Sequence, residues 1–158
     1  MSVIIPGSFD PPTLGHLDII RRAAEEYDEV YVVAFNNPKK NYVFSPEDRV
    51  AMLMLLTDEY ENVLVSYSAG LVVDYMREHN IDLIVKGYRN EGDLLWESEQ
   101  AEYNRRFGGY ETRLLLTAPE YAELSSTLVR EAIFRGEPLF GLVSPEVEKY
   151  ILENKPKG

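Results

Sequence analysis

Five short apolar runs recur along this chain, and most of them are rich in β-branched residues. They lie at residues 2–5, 30–35, 62–65, 81–85 and 112–116. Runs of this length and composition are typical of strands buried on both faces of a parallel sheet. The pattern therefore predicts five buried strands.

Between these runs, apolar residues recur at intervals of three and four, which is the spacing of amphipathic helices. The predicted helices lie near residues 17–24, 46–56, 71–79, 91–107, 126–134 and from 145 onward. Ser45, Ser125 and Ser144 stand at N-cap positions, and proline follows the first and the last of them. Alternation of strand and helix predicts an α/β fold with a doubly wound, five-stranded parallel sheet.

Length and composition narrow the possible functions. The 158 residues, 45% hydrophobic and 27% charged, predict one domain over 1–158, with 154–158 as a loose C-terminal tail. Cysteine is absent, which excludes thiolate catalysis and cysteine-based zinc sites. We expect a cytoplasmic protein without membrane association, because no apolar run could span a bilayer and no signal peptide precedes the first strand. The formal net charge of −11 argues against broad nucleic-acid binding, so cations that serve a nucleotide must be clustered locally.

The segment 6–16 joins the first predicted strand to the first helix. It reads Pro-Gly-Ser-Phe-Asp-Pro-Pro-Thr-Leu-Gly-His and falls where open α/β sheets bind their ligands. Gly7 and Gly15 lack a Cβ atom, which permits close approach, and Ser8 offers a hydroxyl beside it. His16 falls in the first turn of the helix, where free N–H groups and the helix dipole favour an anion. An ordinary βα loop with an incidental histidine is the alternative interpretation.

Three further polar segments follow predicted strands or open a helix, at residues 37–40, 86–90 and 124–130. Each alone could be a surface turn or a helix cap. In a doubly wound sheet, however, all three converge on the edge that holds His16. Hydroxyl groups and free N–H groups at a helix start, with cations close by, are typical of a polyphosphate site.

These motifs resemble the bacterial phosphopantetheine adenylyltransferase family, within the nucleotidyltransferases marked by (H/T)-x-G-H. The matching segments are G-S-F-D-x-x-T-x-G-H, N-P-x-K before F-S-x-E-x-R-V, K-G-x-R-N before W-E, and S-S-T-L-V-R-E. They run from Pro6 to Ser144, nearly the full length. The family usually has threonine at Ser8, arginine at Lys86 and often serine at Thr127. Only Lys86 changes the chemistry, because lysine cannot make the two-pronged phosphate contact of arginine.

The resemblance implies a Rossmann-like nucleotidyltransferase fold and an enzyme that joins ATP to 4′-phosphopantetheine, releasing pyrophosphate. His16, Lys40 and Ser8 would be the catalytic residues. Phosphopantetheine would be bound by Ser8, Lys40, Val72 and Lys86. ATP would be bound by Ser8, Phe9, His16, Gly87, Tyr88, Arg89, Glu97, Tyr121, Ala122, Glu123, Leu124, Ser125, Ser126 and Thr127. The family also implies Mg²⁺ carried mainly by the ATP phosphates, a hexamer, and coenzyme A as a possible feedback ligand.

Two other functions stay open. A nicotinate or nicotinamide mononucleotide adenylyltransferase typically carries I-S-S-T-x-I-R, close to residues 124–130, although that branch usually has histidine at Thr13. A non-catalytic nucleotide-binding regulator on the same fold should have lost His16 or the cations, and this chain keeps them. Trp96 is interpreted as a packing anchor, with adenine stacking as the alternative. The apolar face of the second helix, including Met54 and Leu55, is interpreted as core.

Overall fold

The computed structural model describes residues 1–156 and contains five parallel strands. The strands are β1 (Ser2–Gly7), β2 (Glu29–Phe35), β3 (Val63–Ser68), β4 (Leu83–Tyr88) and β5 (Glu111–Leu116). Their order in the sheet is β3-β2-β1-β4-β5, so β1 lies at the centre and the chain winds outward in both directions. This arrangement confirms the predicted doubly wound α/β fold.

Six α-helices connect and flank the strands. They are α1 (Leu14–Glu26), α2 (Pro46–Thr57), α3 (Val72–His79), α4 (Glu91–Gly108), α5 (Ser126–Arg135) and α6 (Pro145–Glu153), and a short 3₁₀ helix spans Pro119–Tyr121. The predicted N-caps are confirmed, because the hydroxyls of Ser45, Ser125 and Ser144 each accept a backbone N–H from the first turn. Caps of this kind stabilise a helix start by about 1 kcal/mol each.

The core lies on both faces of the sheet. Side chains alternate along β1, so Val3 and Ile5 pack on the face covered by α1, α2, α5 and α6, whereas Ile4 packs with Met76 of α3 on the other. Each of these residues is buried. Replacing such a buried aliphatic residue by alanine typically costs about 2–5 kcal/mol.

The structure corrects several predicted boundaries. The fourth strand begins at Leu83 and not at residue 81, because Asn80 closes α3 in a left-handed conformation and the chain must turn there. Met54 and Leu55 are exposed and do not belong to the core, since the buried face of α2 is narrower than the apolar run. Asn154, the first residue of the predicted tail over 154–158, closes α6 and donates its side-chain amide to the Tyr150 carbonyl. Residues 157 and 158 lie outside the described part of the chain.

None of the helices in residues 1–156 combines the length and the apolar character that crossing a membrane requires.

Candidate active site

Two adjoining cavities lie at the carboxyl ends of β1, β2 and β4. The first, of about 280 Å³, is lined by the turn after β1, the end of β4 and the start of α5. The second, of about 600 Å³, lies between the ends of β1 and β2 and helices α3 and α4. Ser8 and Lys86 line both cavities. A molecule in one cavity would therefore meet a molecule in the other at these two side chains.

The turn after β1 is shaped by Phe9. Its backbone has a positive φ of 51°, which is uncommon for a residue with a side chain, and its ring is buried. A Cβ atom at Gly7 would lie 3.0 Å from the Phe9 ring, so a larger residue here would require the ring to shift. The Phe9 ring also meets the His16 imidazole edge to face, with 4.9 Å between ring centroids. The aromatic contact fixes the plane of the imidazole.

The start of α1 fixes His16 by a capping box. The Thr13 hydroxyl accepts the N–H groups of Gly15 and His16, and the Thr13 N–H donates to His16 Nδ1 over 2.9 Å. Because Nδ1 accepts this hydrogen bond, the proton of the neutral imidazole must be on Nε2.

The pKa of His16 is lowered from 6.5 to about 4. Burial is the main cause, and the positive charges of Lys86 and Arg89 lower it further. The imidazole is therefore neutral at pH 7. It offers one Nε2–H donor to the first cavity, which it lines.

Two cations, Lys86 and Arg89, line the first cavity, and both are paired with acidic side chains of α4. Lys86 Nζ lies 3.1 Å from Glu97 Oε2. Arg89 Nε donates to Asp93 over 2.8 Å, and its Nη1 donates to the Leu124 carbonyl over 3.3 Å. A bound phosphate would have to share or replace these acidic partners.

The start of α5 is tied to the turn after β1. Ser126 Oγ donates to the Pro11 carbonyl over 2.8 Å, and Arg130 Nη1 donates to the Asp10 carbonyl over 2.8 Å. Ser125 and Ser126 line the first cavity, so free N–H groups of a helix start face the same space as His16. Thr127 is exposed and accepts a hydrogen bond from Arg130.

Asp10 is buried and connects this turn to the segment before α2. Its carboxylate accepts the N–H groups of Val43 and Phe44 over 2.9 and 2.8 Å. Sequence reasoning gave Asp10 no role beyond its place in the motif. The sequence shows only that two prolines follow Asp10; its burial, which makes hydrogen-bond donors necessary, is visible only in the folded chain.

The structure brings most of the predicted site residues to these two cavities. Ser8, Phe9, His16, Gly87, Arg89, Leu124, Ser125 and Ser126 line the first. Val72 and Glu97 line the second, where Ser8 is the other residue of the predicted ATP-binding set. At Gly87 a Cβ atom would lie 2.7 Å from Ile19, which explains why a glycine follows Lys86.

Some predicted site residues do not line either cavity. Lys40 is exposed on the loop between β2 and α2, whereas Asn36, Asn37 and Tyr42 near it line the second cavity. The other residues outside both cavities are Tyr88, Tyr121, Ala122, Glu123 and Thr127. Trp96 is 59% exposed and lines the second cavity, so its interpretation as a packing anchor is wrong.

Comparison with known proteins gives the family. The model of the cytidylyltransferase-like family matches residues 4–132. A phosphopantetheine adenylyltransferase of Natranaerobius thermophilus is 42% identical over 155 residues, which cover 98% of this chain and 96% of that protein. This chain belongs to the phosphopantetheine adenylyltransferase family. It is therefore a nucleotidyltransferase.

Other members of the phosphopantetheine adenylyltransferase family match equally well. The protein of Symbiobacterium thermophilum is 43% identical, with 99% of this chain and 98% of that protein covered. The protein of Corynebacterium efficiens is 45% identical, with 93% and 92% covered. A solved structure from Vibrio parahaemolyticus, assigned as a nicotinate-nucleotide adenylyltransferase, superposes with a TM-score of 0.69 over 96% of this chain and 91% of that chain. At 16% identity, this last likeness shows the shared fold alone.

Proposed function

We propose that this enzyme transfers the adenylyl group of ATP to 4′-phosphopantetheine in coenzyme A biosynthesis, giving dephospho-coenzyme A and pyrophosphate, reversibly. The observation that carries the proposal is the sharing of Ser8 and Lys86 between two cavities. Adenylyl transfer needs two phosphate groups to meet at one point, and these side chains supply a hydroxyl and a cation there. The names of the relatives agree with this reaction.

The first cavity is the proposed site of the ATP phosphates. His16, Arg89 and the start of α5 line it together, which provides a neutral donor, a cation and free N–H groups. Such a set matches a triphosphate. Phe9, Gly87, Tyr88 and residues 121–127 stay assigned to ATP by family resemblance.

The second cavity is the proposed site of phosphopantetheine. Val72, Trp96 and Phe107 line it and offer apolar surface for the pantetheine arm, while Lys86 lies at its inner end for the phosphate. Glu97 lines the same cavity and pairs with Lys86, so the acceptor phosphate would have to share Lys86 with this carboxylate or displace it.

The chemistry needs no protein nucleophile and no general base, because a phosphate monoester is largely ionised near pH 7. A phosphate oxygen of phosphopantetheine attacks the α-phosphorus of ATP in line. The new P–O bond forms as the bond to the bridging oxygen breaks, and the electron pair leaves with pyrophosphate. Catalysis then consists of positioning and of stabilising charge on the transferred group.

The proposed catalytic residues have distinct roles. The Nε2–H of His16 donates to an α-phosphate oxygen and stabilises the charge that grows there. Ser8 orients the attacking phosphate, and Lys86 holds it. Lys40 would assist only if the loop of residues 37–42 brought it next to Ser8 and Lys86.

Magnesium is the proposed metal. Within residues 1–156, no group of three or more histidine and acidic side chains is arranged to hold a metal ion. The first cavity offers N–H and O–H donors instead, which fit phosphate oxygens that carry the ion themselves. The bound ion would supply charge neutralisation on the ATP phosphates.

The exposed face of α4 supports the proposed hexamer. No residue of this helix is buried, and, apart from Trp96 and Phe107 of the second cavity, Leu95 and Tyr103 are each more than half exposed. Apolar exposure of this extent is typical of a surface covered by another protein chain. Analytical ultracentrifugation tests the hexamer: six copies are expected, and a monomer at micromolar concentration would contradict the proposal.

Coenzyme A contains the same pantetheine arm as phosphopantetheine and is proposed to compete with it for the second cavity.

A pyrophosphate-release assay with ATP and each of two acceptors tests the reaction. We expect turnover with phosphopantetheine and none above background with nicotinate mononucleotide. The reverse preference would favour the nucleotide-acceptor function. ATP binding without turnover of either acceptor would favour a regulator.

A further inference from the structure

Arg49 is a fully buried cation behind the wall of the second cavity. Its side chain, on the first turn of α2, is 0% exposed. Nη1 donates to the Ser8 carbonyl over 3.0 Å and to the Phe35 carbonyl over 3.5 Å, and Nη2 donates to Asn36 Oδ1 over 2.7 Å. The guanidinium also lies over the Tyr42 ring, 4.2 Å from its centroid.

The positive charge of Arg49 has no acidic partner. In the part of the chain that the structure describes, residues 1–156, it forms no ion pair, and its Nε has no hydrogen-bond acceptor. Two neighbouring carboxylates hold other groups: Asp10 accepts the N–H groups of residues 43 and 44, and Asp48 accepts the Tyr150 hydroxyl. A buried charge without a counter-charge is unfavourable, and carbonyl oxygens compensate it only in part.

The residues to which the Arg49 guanidinium donates hydrogen bonds all line the second cavity, and Ser8 also lines the first. Ser8, Asn36, Asn37 and Tyr42 line the second cavity. The Tyr42 hydroxyl in turn accepts the N–H of Asn37 over 2.7 Å. One guanidinium thus fixes the ends of β1 and β2 at the separation that this cavity requires.

We propose that Arg49 is a positioning residue for the acceptor: it fixes Ser8 and Asn36, and its unpaired charge favours a phosphate in the second cavity. The inference rests on the proposed function, which places phosphopantetheine there. A purely structural arginine would serve equally well with its charge neutralised. An arginine that also attracts the acceptor phosphate would not, because in a poorly screened interior a charge acts beyond its direct contacts.

Neutralising the charge without removing the arginine separates the two roles. Asn36→Asp keeps the shape of the side chain and places a carboxylate next to Nη2 of Arg49. Asn37→Asp is the matched control, because it adds the same charge to the same cavity without touching Arg49. We expect Asn36→Asp to raise Tm and to raise KM for phosphopantetheine about tenfold more than the control does. KM for ATP should change equally in both variants.

Arg49→Met and Arg49→Lys complete the test. If Arg49→Met folds, judged by circular dichroism, it should lose most of its affinity for phosphopantetheine in calorimetry, and Arg49→Lys should recover part of that affinity. If Arg49→Met does not fold, the two aspartate variants decide.

Equal KM values for Asn36→Asp and Asn37→Asp would overturn the inference while turnover by the wild-type enzyme upholds the proposed function. A wild-type enzyme without turnover of phosphopantetheine would overturn both.

Discussion

The backbone N–H of Thr13 donates to Nδ1 of His16 over 2.9 Å, and this contact decides which imidazole nitrogen carries the proton. The same residue, His16, therefore closes the helix cap and supplies the proposed catalytic donor. With Nδ1 occupied and the pKa lowered to about 4, His16 presents Nε2–H to the first cavity throughout the neutral range.

Replacing His16 by alanine should lower kcat and leave KM for ATP nearly unchanged. The imidazole is proposed to act on charge that appears only in the transition state, and removal of one such donor typically costs about 10²–10³ in rate. Steady-state kinetics measure the effect. Thr13→Ser, which keeps the capping hydroxyl and the N–H to Nδ1, is the control and should keep most of its activity. A His16→Ala enzyme with most of its kcat would leave His16 as a capping residue alone.

His16 should also make folding depend on pH. Its pKa is lower in the folded protein, so the unfolded chain binds the proton first and the stabilisation is complete only above pH 6.5. It should be lost progressively as the pH falls from 6.5 towards 4, by at most about 3 kcal/mol, and partial exposure of the imidazole lowers this ceiling. Urea unfolding of wild type and His16→Asn between pH 4 and 7.5 measures the difference. If the unfolding free energies of the two proteins changed with pH in the same way, the His16 imidazole would not be shielded from solvent.

Lys86→Ala should raise KM for phosphopantetheine and spare KM for ATP. A charged hydrogen bond to phosphate is worth roughly 1.5–3 kcal/mol, which corresponds to about tenfold to more than a hundredfold. Lys86→Arg, the usual family residue, should retain activity. Kinetics with each substrate varied in turn decide the matter. A rise in KM for ATP alone would place Lys86 in the triphosphate site.

Ser126→Ala should weaken ATP binding more than Thr127→Ala does. The Ser126 hydroxyl lines the first cavity and holds the Pro11 carbonyl, but Thr127 is exposed and contacts only Arg130 through its hydroxyl. Calorimetric titration of ATP and of phosphopantetheine, each alone, compares the variants. If Ser126→Ala weakened both ligands equally, the start of α5 would be a support and not a phosphate site.

The sequence predicted the fold because its strands are apolar runs and its helices carry clear serine caps. It predicted that His16, Lys86, Arg89 and Ser126 meet, since parallel strands and the helices that follow them share one sheet edge.

Pairings across the chain were not predictable. The Lys86–Glu97 ion pair joins β4 to the second turn of α4, and nothing in the local sequence specifies it. Arg49 falls in a helix, where arginine is usually solvent-exposed, so its complete burial could be found only from the folded chain.

The two anchors around the loop of residues 37–42 have a consequence for its length. Arg49 holds Asn36 at one end, and Asp10 holds the backbone of Val43 and Phe44 at the other. Between these anchors, residues 37–41 are exposed. Doubling the length of such a loop costs only about 0.6 kcal/mol in closure entropy, so insertions between Pro38 and Asn41 should be tolerated, because Asn37 and Tyr42, which line the second cavity, lie outside that stretch. The reach of Lys40 can therefore change independently of the rest of the site.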